Sequence, residues 1–259
     1  MLLTYNIGND NITLGFIDAD ALISTASVSS DTKRTADEYA ILLEGVLHSK
    51  GLDASLFDGA ICSSVVPTLT EVMRNAVNML FGFRAHVIGA GTRTGLRILT
   101  DDPTQLGADL VACAVGALAK YKTPMILINF GTATTFSVLD TDGAFIGCAI
   151  APGVELSAHA LSNGASLLPH ISQNVPKKCI GTNTIESMQS GCIFGSAAMV
   201  GGMISRIEKE LGGVASVIVS GGSANLMLSL CEHEAICDDT ILLQGLAEIY
   251  QKNVRKKDK

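Results

Sequence analysis

The sequence predicts an α/β fold made of two similar halves, and three observations carry that reading. A short motif occurs twice, strand-like and helix-like segments alternate along the chain, and the composition is that of an aliphatic core cut by glycine turns. Of 259 residues, 47% are hydrophobic and 17% charged, which excludes a disordered chain. The 26 Gly against 6 Pro fit many tight strand-to-helix turns. Trp is absent and aromatics are 5%, so Leu, Ile, Val, Ala and Met must fill the core.

The repeat is read first. Residues 3–14 are LTYNIGNDNITL and residues 126–137 are ILINFGTATTFS. Superposed, Asn6 falls on Asn129, Gly8 on Gly131, Asn9 on Thr132 and Asn11 on Thr134. Each copy runs apolar strand, Asn, apolar residue, Gly, small polar cluster and second strand, the pattern of a hairpin with a Gly-containing bend. This predicts domains over 1–120 and 121–259.

The other elements follow in order. Thr35-x-x-Glu38 is a capping box opening a helix through His48, with Gly51 as its stop. Residues 57–62 (FDGAIC) predict a strand, and Pro67 with Thr68-x-x-Glu71 opens a helix to Leu80. Residues 84–88 (RAHVI) predict a strand. Residues 107–121 (GADLVACAVGALAKY) are nearly all apolar and predict a buried helix. In the second half, 144–150 reads as a strand and 154–162 as a helix. Residues 184–211 make one long helix or two in succession, ending at Gly212-Gly213. SVIVS (216–220) is a strand running into Gly221-Gly222, followed by helices near 224–231 and 242–254. Helices mixed with strands in both halves argue for helices packed on sheets.

Composition excludes several function classes. Net charge is −7, from 18 basic and 25 acidic residues, so a nucleic-acid surface is not expected. The start MLLTYNIGND has no basic region and is interrupted by Asn6, Asn9 and Asp10, unlike a signal peptide. No run reaches the roughly 18 apolar residues of a membrane span. A cytoplasmic protein with no membrane partner is expected. Seven Cys without C-x-x-C suggest neither a disulfide framework nor a zinc knuckle, and the five His form no metal motif. Lys252, Arg255, Lys256, Lys257 and Lys259 form a basic tail of the kind usually solvated.

Two facing hairpins with polar bends would bracket a cleft between similar domains, a preferred place for ligands. Gly8-Asn9-Asp10-Asn11 and Gly131-Thr132-Ala133-Thr134-Thr135 offer backbone N–H, amide and hydroxyl groups. Such a lining suits phosphate oxygens, which only accept. Gly221-Gly222 is a third close-approach loop, suited to a base or ribose. Asp109 stands at the first turn of an apolar helix, where the helix dipole alone would favour an acid. Its second reading is a general base that takes the proton of a hydroxyl attacking phosphorus.

The whole chain resembles the type III pantothenate kinases of the acetate and sugar kinase, Hsp70 and actin superfamily. The matching pieces are N-I-G-N-D-N (6–11), S-S-V-V-P (63–67), D-D-P-T-Q-L-G-A-D (101–109), F-G-T-A-T-T-F (130–136), A-I-A-P-G (149–153), G-T-N-T (181–184), S-M-Q-S-G (187–191), S-G-G (220–222) and G-L-A-E-I-Y (245–250). The resemblance implies two ribonuclease-H-like domains of the actin-like ATPase superfamily and a homodimer with the pantothenate site between subunits. It implies transfer of the ATP γ-phosphoryl group to pantothenate, the first step toward coenzyme A, with Mg2+ and a monovalent cation, K+ or NH4+. Carried over by position, Asn6, Gly8, Asn9, Asp10 and Asn11 match the first phosphate loop and Thr132 an ATP contact. Asp109 matches the proton acceptor. Thr100, Gly107, Ala108, Asp109, Leu110 and Thr184 match substrate-binding positions, and Asn129 matches the monovalent-cation position. The chain departs from the family pattern at Asn6 and Asn129, where the pattern has Asp. It also departs at Leu110, where the pattern has Arg, and at Thr100, where it usually has Tyr. An amide lacks the charge that a hard cation prefers, and Leu110 offers no donor. Two alternatives therefore stand beside the kinase: an impaired paralogue that binds nucleotide or a pantothenate-like ligand in a regulatory role, and a kinase of this fold with another acceptor.

Overall fold

The computed structural model describes residues 1–254. Its strands are β1 (Leu2–Ile7), β2 (Asn11–Asp18), β3 (Ala21–Ser29), β4 (Gly59–Ser64), β5 (His86–Val87), β6 (Met125–Phe130), β7 (Ala133–Leu139), β8 (Phe145–Pro152), β9 (Ser216–Ser220) and β10 (Ile236–Cys237). Its helices are α1 (Ala36–Ser49), α2 (Pro67–Phe81), α3 (Ala108–Lys120), α4 (Val154–Gly164), α5 (Thr184–Leu211), α6 (Ala224–Leu230) and α7 (Ile241–Val254). They form two compact units. One comprises Met1–Arg97, Asp101–Lys120 and the chain from Thr240 onward, and the other Ile98–Thr100 and Tyr121–Asp239.

In the first unit the sheet order is β3-β2-β1-β4-β5. β1, β2 and β3 run antiparallel to their neighbours, while β4 joins β1 and β5 joins β4 in parallel. Strand side chains alternate between faces. Leu3, Tyr5 and Ile7 of β1 point into a core with Tyr39, Leu43 and Leu47 of α1 and Leu69, Met73 and Val77 of α2. On α1 the capping box forms as read: Thr35 accepts from the Glu38 N–H, and the Glu38 carboxylate accepts from the Thr35 N–H. α2 differs, because its N-cap is Val66 and Pro67 opens it with no side-chain cap at Thr68. The opposite face of the sheet receives α7: a Cβ on Gly15 would lie 3.0 Å from Leu243 Cδ1, and one on Gly59 would collide with the Tyr250 hydroxyl.

α3 and α7 cross backbone to backbone. A Cβ on Gly116 would strike the Ile241 carbonyl oxygen, and one on Gly245 the Ala112 carbonyl oxygen. This contact draws the closing helix into the first unit. The expected second domain over 121–259 is corrected accordingly, since Thr240 marks the return. Repeated motifs alone could not show it, because the helix is written last but packs with the first half.

The second sheet has the order β10-β9-β6-β7-β8. β6 and β7, and β7 and β8, pair antiparallel, while β9 joins β6 and β10 joins β9 in parallel. Strand for strand this repeats the first sheet, with β6 in the place of β1 and β9 in the place of β4. Ile126, Ile128, Phe136, Val217 and Val219 pack with Val154 of α4, Ile193, Val200 and Ile204 of α5, and Met227 of α6. β3 and β10 were not anticipated. β3 alternates half-buried and exposed positions along a sheet edge and has no fully buried face to betray it. α5 is continuous over 28 residues. By length and composition it is apolar enough to cross a membrane, contrary to expectation, yet its buried residues belong to this core. Among the described residues, none of the cysteines is joined in a disulfide. Of the basic tail, Lys252 donates to the Thr94 carbonyl at 2.8 Å, while Arg255, Lys256, Lys257 and Lys259 lie outside the described residues.

The glycine crossing yields the first prediction. Gly245→Ala forces α3 and α7 apart and costs about 1–3 kcal/mol, the range for overpacking. Gly202, with nothing within 4 Å of a Cβ, is the control in α5. Thermal unfolding should show a midpoint lower by several degrees for Gly245→Ala and an unchanged or raised one for Gly202→Ala. Equal midpoints for the two variants would contradict the crossing.

Candidate functional site

The first unit contributes a polar row and a carboxylate. β1 pairs with β2 so that Asn6 faces Thr13, and with β4 so that Asn6 faces Ser63. Paired residues on neighbouring strands share a face of the sheet. Thr13, Asn6 and Ser63 therefore lie side by side across three strands. The Ser63 hydroxyl, fully buried, donates to Asn6 Oδ1 at 2.8 Å. The Asn6 amide nitrogen lies 3.9 Å from where a Cβ on Gly8 would be.

The bend itself is held from within. The Gly8 N–H donates to the Asn11 carbonyl at 3.0 Å, and the Ser30 hydroxyl donates to the Gly8 carbonyl at 2.6 Å. The Ser30 N–H donates to the Asp10 carbonyl at 2.9 Å. The Gly8 N–H is thus engaged by the chain's own backbone, contrary to its expected role as a phosphate donor. Asn9, Asp10 and Asn11 are exposed at the tip.

Asp109 stands in the first turn of α3. Its carboxylate folds back over the helix start, where its own N–H and that of Leu110 donate to it. Its Oδ1 lies 2.5 Å from the place a Cβ on Gly107 would occupy, so a side chain there would displace the carboxylate. The Gly107 carbonyl accepts from the Val111 N–H at 3.1 Å. Burial raises the Asp109 pKa above the ordinary carboxylate value, against the smaller lowering by the two N–H groups. A carboxylate with a raised proton affinity is the kind of group that can take a hydroxyl proton. Ala108 and Leu110 flank it, both half-buried.

The second unit repeats the polar row. Asn129 faces Thr135 on β7 and Ser220 on β9. Ser220 donates to Asn129 Oδ1 at 3.4 Å, and Asn129 Nδ2 lies 3.5 Å from where a Cβ on Gly131 would be. The bend here is shorter by a residue: Phe130 pairs with Thr134, whereas Ile7 pairs with Ile12. The Gly131 N–H donates to Ala133, as Gly8 does to Asn11. By register Asn11 therefore corresponds to Ala133, which corrects the expected match to Thr134. Thr132 is exposed, and its carbonyl accepts from the Gly153 N–H at 3.0 Å. A Cβ on Gly153 would lie 2.6 Å from that carbonyl oxygen, which explains the glycine of A-P-G. Gly221, at φ +103°, sits so near Asn129 that a Cβ would be 2.9 Å from its Oδ1. Its N–H donates to Asp239 Oδ1 at 2.8 Å.

Other matched positions lie elsewhere in this unit. Thr100 follows Ile98, which bridges to Phe145, and its buried hydroxyl has no hydrogen-bond partner. The Thr135 hydroxyl is buried and unpartnered as well. Thr184 is the exposed first residue of α5, and the N-cap is Asn183, which accepts from the Glu186 N–H at 3.0 Å. Ser63, Ser220, Thr13 and Asp239 were missed in the sequence, whereas Thr135 was read as part of the second bend. The motifs S-S-V-V-P and S-G-G contain two of them, but only register sets them beside Asn6 and Asn129.

The donor set bears on metals. Among the described residues, no three His, Cys, Asp or Glu side chains gather as a metal site. Asn129, the expected cation ligand, offers a neutral amide whose oxygen also takes the Ser220 hydroxyl, and lacks the charge that a hard cation prefers.

Comparison with known proteins follows from this geometry. A family model described as type III pantothenate kinase matches residues 2–206. A protein named type III pantothenate kinase from Geotalea daltonii is 39% identical over 253 residues, covering 98% of this chain and 99% of that protein. Its namesake from Roseiflexus sp. is 40% identical over 253 residues, covering 98% and 99%. Among solved structures, a Baf family transcriptional activator from Campylobacter jejuni is similar over 98% of this chain and 99% of that one, with TM-score 0.60 and 16% identity. The activator of the 2-hydroxyisocaproyl-CoA dehydratase from Clostridium difficile, solved with bound ADPNP, covers 100% and 98%, with TM-score 0.58 and 14% identity. These two structures establish the fold alone, a mixed α/β architecture with two five-stranded sheets.

The raised pKa of Asp109 has a consequence for stability. A carboxyl whose folded pKa is raised favours the fold while protonated. That contribution is present below the unfolded value of about 3.9 and is lost as pH rises through the folded value. Asp109→Asn removes the burden of a buried charge at neutral pH. The difference in thermal midpoint, variant minus wild type, should be more positive at pH 7 than at pH 4. A difference independent of pH would contradict the burial of this carboxyl.

Proposed function

The chain belongs to the type III pantothenate kinase family, and on that premise we propose that it transfers the γ-phosphoryl group of ATP to the hydroxyl of pantothenate. The products are 4′-phosphopantothenate and ADP, and the reaction is the first step toward coenzyme A. The observation that carries the proposal is the identity of 39% over 98% of the chain with a protein of that name. The half-buried carboxylate of Asp109, held over Gly107, supports it from the side of chemistry. The same likeness does not favour the alternatives, an impaired regulatory paralogue or a kinase with another acceptor.

In this reading Asp109 takes the hydroxyl proton as the oxygen attacks the γ-phosphorus, and the β–γ bond breaks toward ADP. Gly107 gives the carboxylate its room. Ala108 and Leu110, and separately Thr100 and Thr184, contact pantothenate. Thr100 brings a buried hydroxyl with no partner of its own. Asn6, Gly8, Asn9, Asp10 and Asn11 in one bend and Thr132 in the other handle ATP, with Gly8 shaping the bend. Mg2+ enters with the nucleotide, as part of the substrate. The K+ or NH4+ matched to Asn129 would meet a neutral amide in place of the pattern's carboxylate, and no step is routed through it.

We also propose a cytoplasmic homodimer that binds neither nucleic acid nor membrane. Net charge of −7 supports the exclusion of nucleic acid. Exposed Ile150, Leu167 and Ile180 of the second unit support association with a second copy.

The test is turnover by the purified protein with ATP, Mg2+ and pantothenate, read as phosphopantothenate by mass and ADP by coupled assay. Equal yields of both are expected. Asp109→Asn should lower kcat about 10²–10⁴-fold, the usual contribution of a positioned base. ADP formation without phosphopantothenate would overturn the acceptor. Replacing K+ or NH4+ by Na+ should change the rate less than about fivefold, since a loss beyond about 1 kcal/mol would imply a bound cation.

A further inference from the structure

Three parallel strands of the second sheet, β6, β9 and β10, lie side by side. Just past their carboxyl ends the chain reads Gly131-Thr132, Gly221-Gly222 and Asp238-Asp239. Ligands of open α/β sheets bind outside such strand ends. The last of these turns carries two carboxylates in different surroundings. Asp238 is buried, its N–H donates to the Val219 carbonyl at 2.8 Å, and its Oδ2 accepts from the Tyr121 hydroxyl at 2.7 Å. Asp239, the next residue, is exposed. Its Oδ1 accepts from the Gly221 N–H at 2.8 Å, and its Oδ2 takes no hydrogen bond from any described residue. A carboxylate only accepts, so the direction of these bonds is fixed.

Gly221 anchors that carboxylate at a point of close backbone approach. At φ +103°, it lies so near β6 that a Cβ would collide with the Phe130 carbonyl oxygen. One oxygen of Asp239 is thus committed to the loop, and the other is left for a donor from outside the chain. Phosphate oxygens do not qualify, since they only accept and carry the same sign of charge. A sugar hydroxyl does, because it supplies the proton that a carboxylate lacks. Dinucleotide-binding sheets hold ribose through an acidic residue in the same way.

We propose that Asp239 recognises the ribose of the nucleotide, with Oδ2 accepting from a ribose hydroxyl while Oδ1 stays on the Gly221 N–H. The inference rests on the kinase reading and deepens it by naming the residue that meets the sugar. It concerns the second unit alone, of which Asp239 is the final residue.

Calorimetric titration with ADP and with 2′,3′-dideoxy-ADP, both in Mg2+, tests the proposal without needing turnover. Wild type should bind ADP about tenfold or more tightly than the analogue, as expected for a hydrogen bond to a charged group. In Asp239→Ala the two ligands should bind within about threefold of each other, because ADP loses a contact that the analogue never made. If Asp239 only props Gly221, both ligands weaken together and their ratio stays, a result that overturns the proposal. A wild-type ratio below about threefold overturns it as well. Should Asp239→Ala not fold, Asp239→Asn decides. It keeps an oxygen for the Gly221 N–H and removes the charge, so the ratio should fall at least about threefold, and an unchanged ratio contradicts the contact. Phosphopantothenate formation with no preference between the two ligands would sink the ribose contact and leave the kinase reading standing. Failure of the wild type to bind either ligand would count against both.

Discussion

The parallel pairing of the first strand of each sheet with the strand that follows the crossover is the constraint on which the site depends. β1 meets β4 and β6 meets β9 with Asn6 opposite Ser63 and Asn129 opposite Ser220. Side chains alternate along a strand, so a slip of one residue would put Cys62 or Ser64 opposite Asn6 and Val219 or Gly221 opposite Asn129, and send Ser63 and Ser220 to the other face. The register is held by what lies below it. Leu3, Tyr5 and Ile7 must point into the core with α1 and α2, and Ile126, Ile128 and Phe130 into that with α5. Burial of these apolar faces, at about 25 cal/mol per Å², thereby sets which serine stands beside each Asn.

Asp109 illustrates the opposing demand. At the start of α3 the helix dipole and two backbone N–H groups favour its charge, and burial opposes it. Burial is the larger effect, so the group keeps a higher affinity for a proton than a surface carboxylate. Gly107 is the sequence's concession to this geometry, since any Cβ would push the carboxylate away. Gly116 acts at a distance. By letting α7 approach α3 backbone to backbone, it holds the helix on which Asp109 rides within its own unit.

The duplication is close in strand order and looser in the bends. Both sheets share one topology, and both bends tie a glycine N–H back to the first residue of the second strand. The second bend is a residue shorter, and it alone receives Gly153 against its carbonyls. Supports also differ: Ser30 braces the first bend, while Asp239 braces Gly221 beside the second row. A common scaffold has thus been fitted with different local props in the two units.

Much was legible in the sequence by itself. The repeated Asn-x-Gly hairpin, the Thr35–Glu38 cap, the apolar helix carrying Asp109 and the α/β class rest on local patterns, because hydrogen-bond periodicity and turn chemistry act over a few residues. Edge strand β3 escaped for the same reason, lacking a fully buried face. Tertiary structure alone decided that α7 returns to the first unit, that Asn11 corresponds to Ala133, and that Ser63 and Ser220 stand beside the two Asn residues. It also decided that glycine N–H groups expected to serve a ligand are engaged within the bends. These are contacts between residues far apart in the chain, fixed by register and by the burial of apolar faces, and no local pattern encodes which distant strand will lie alongside.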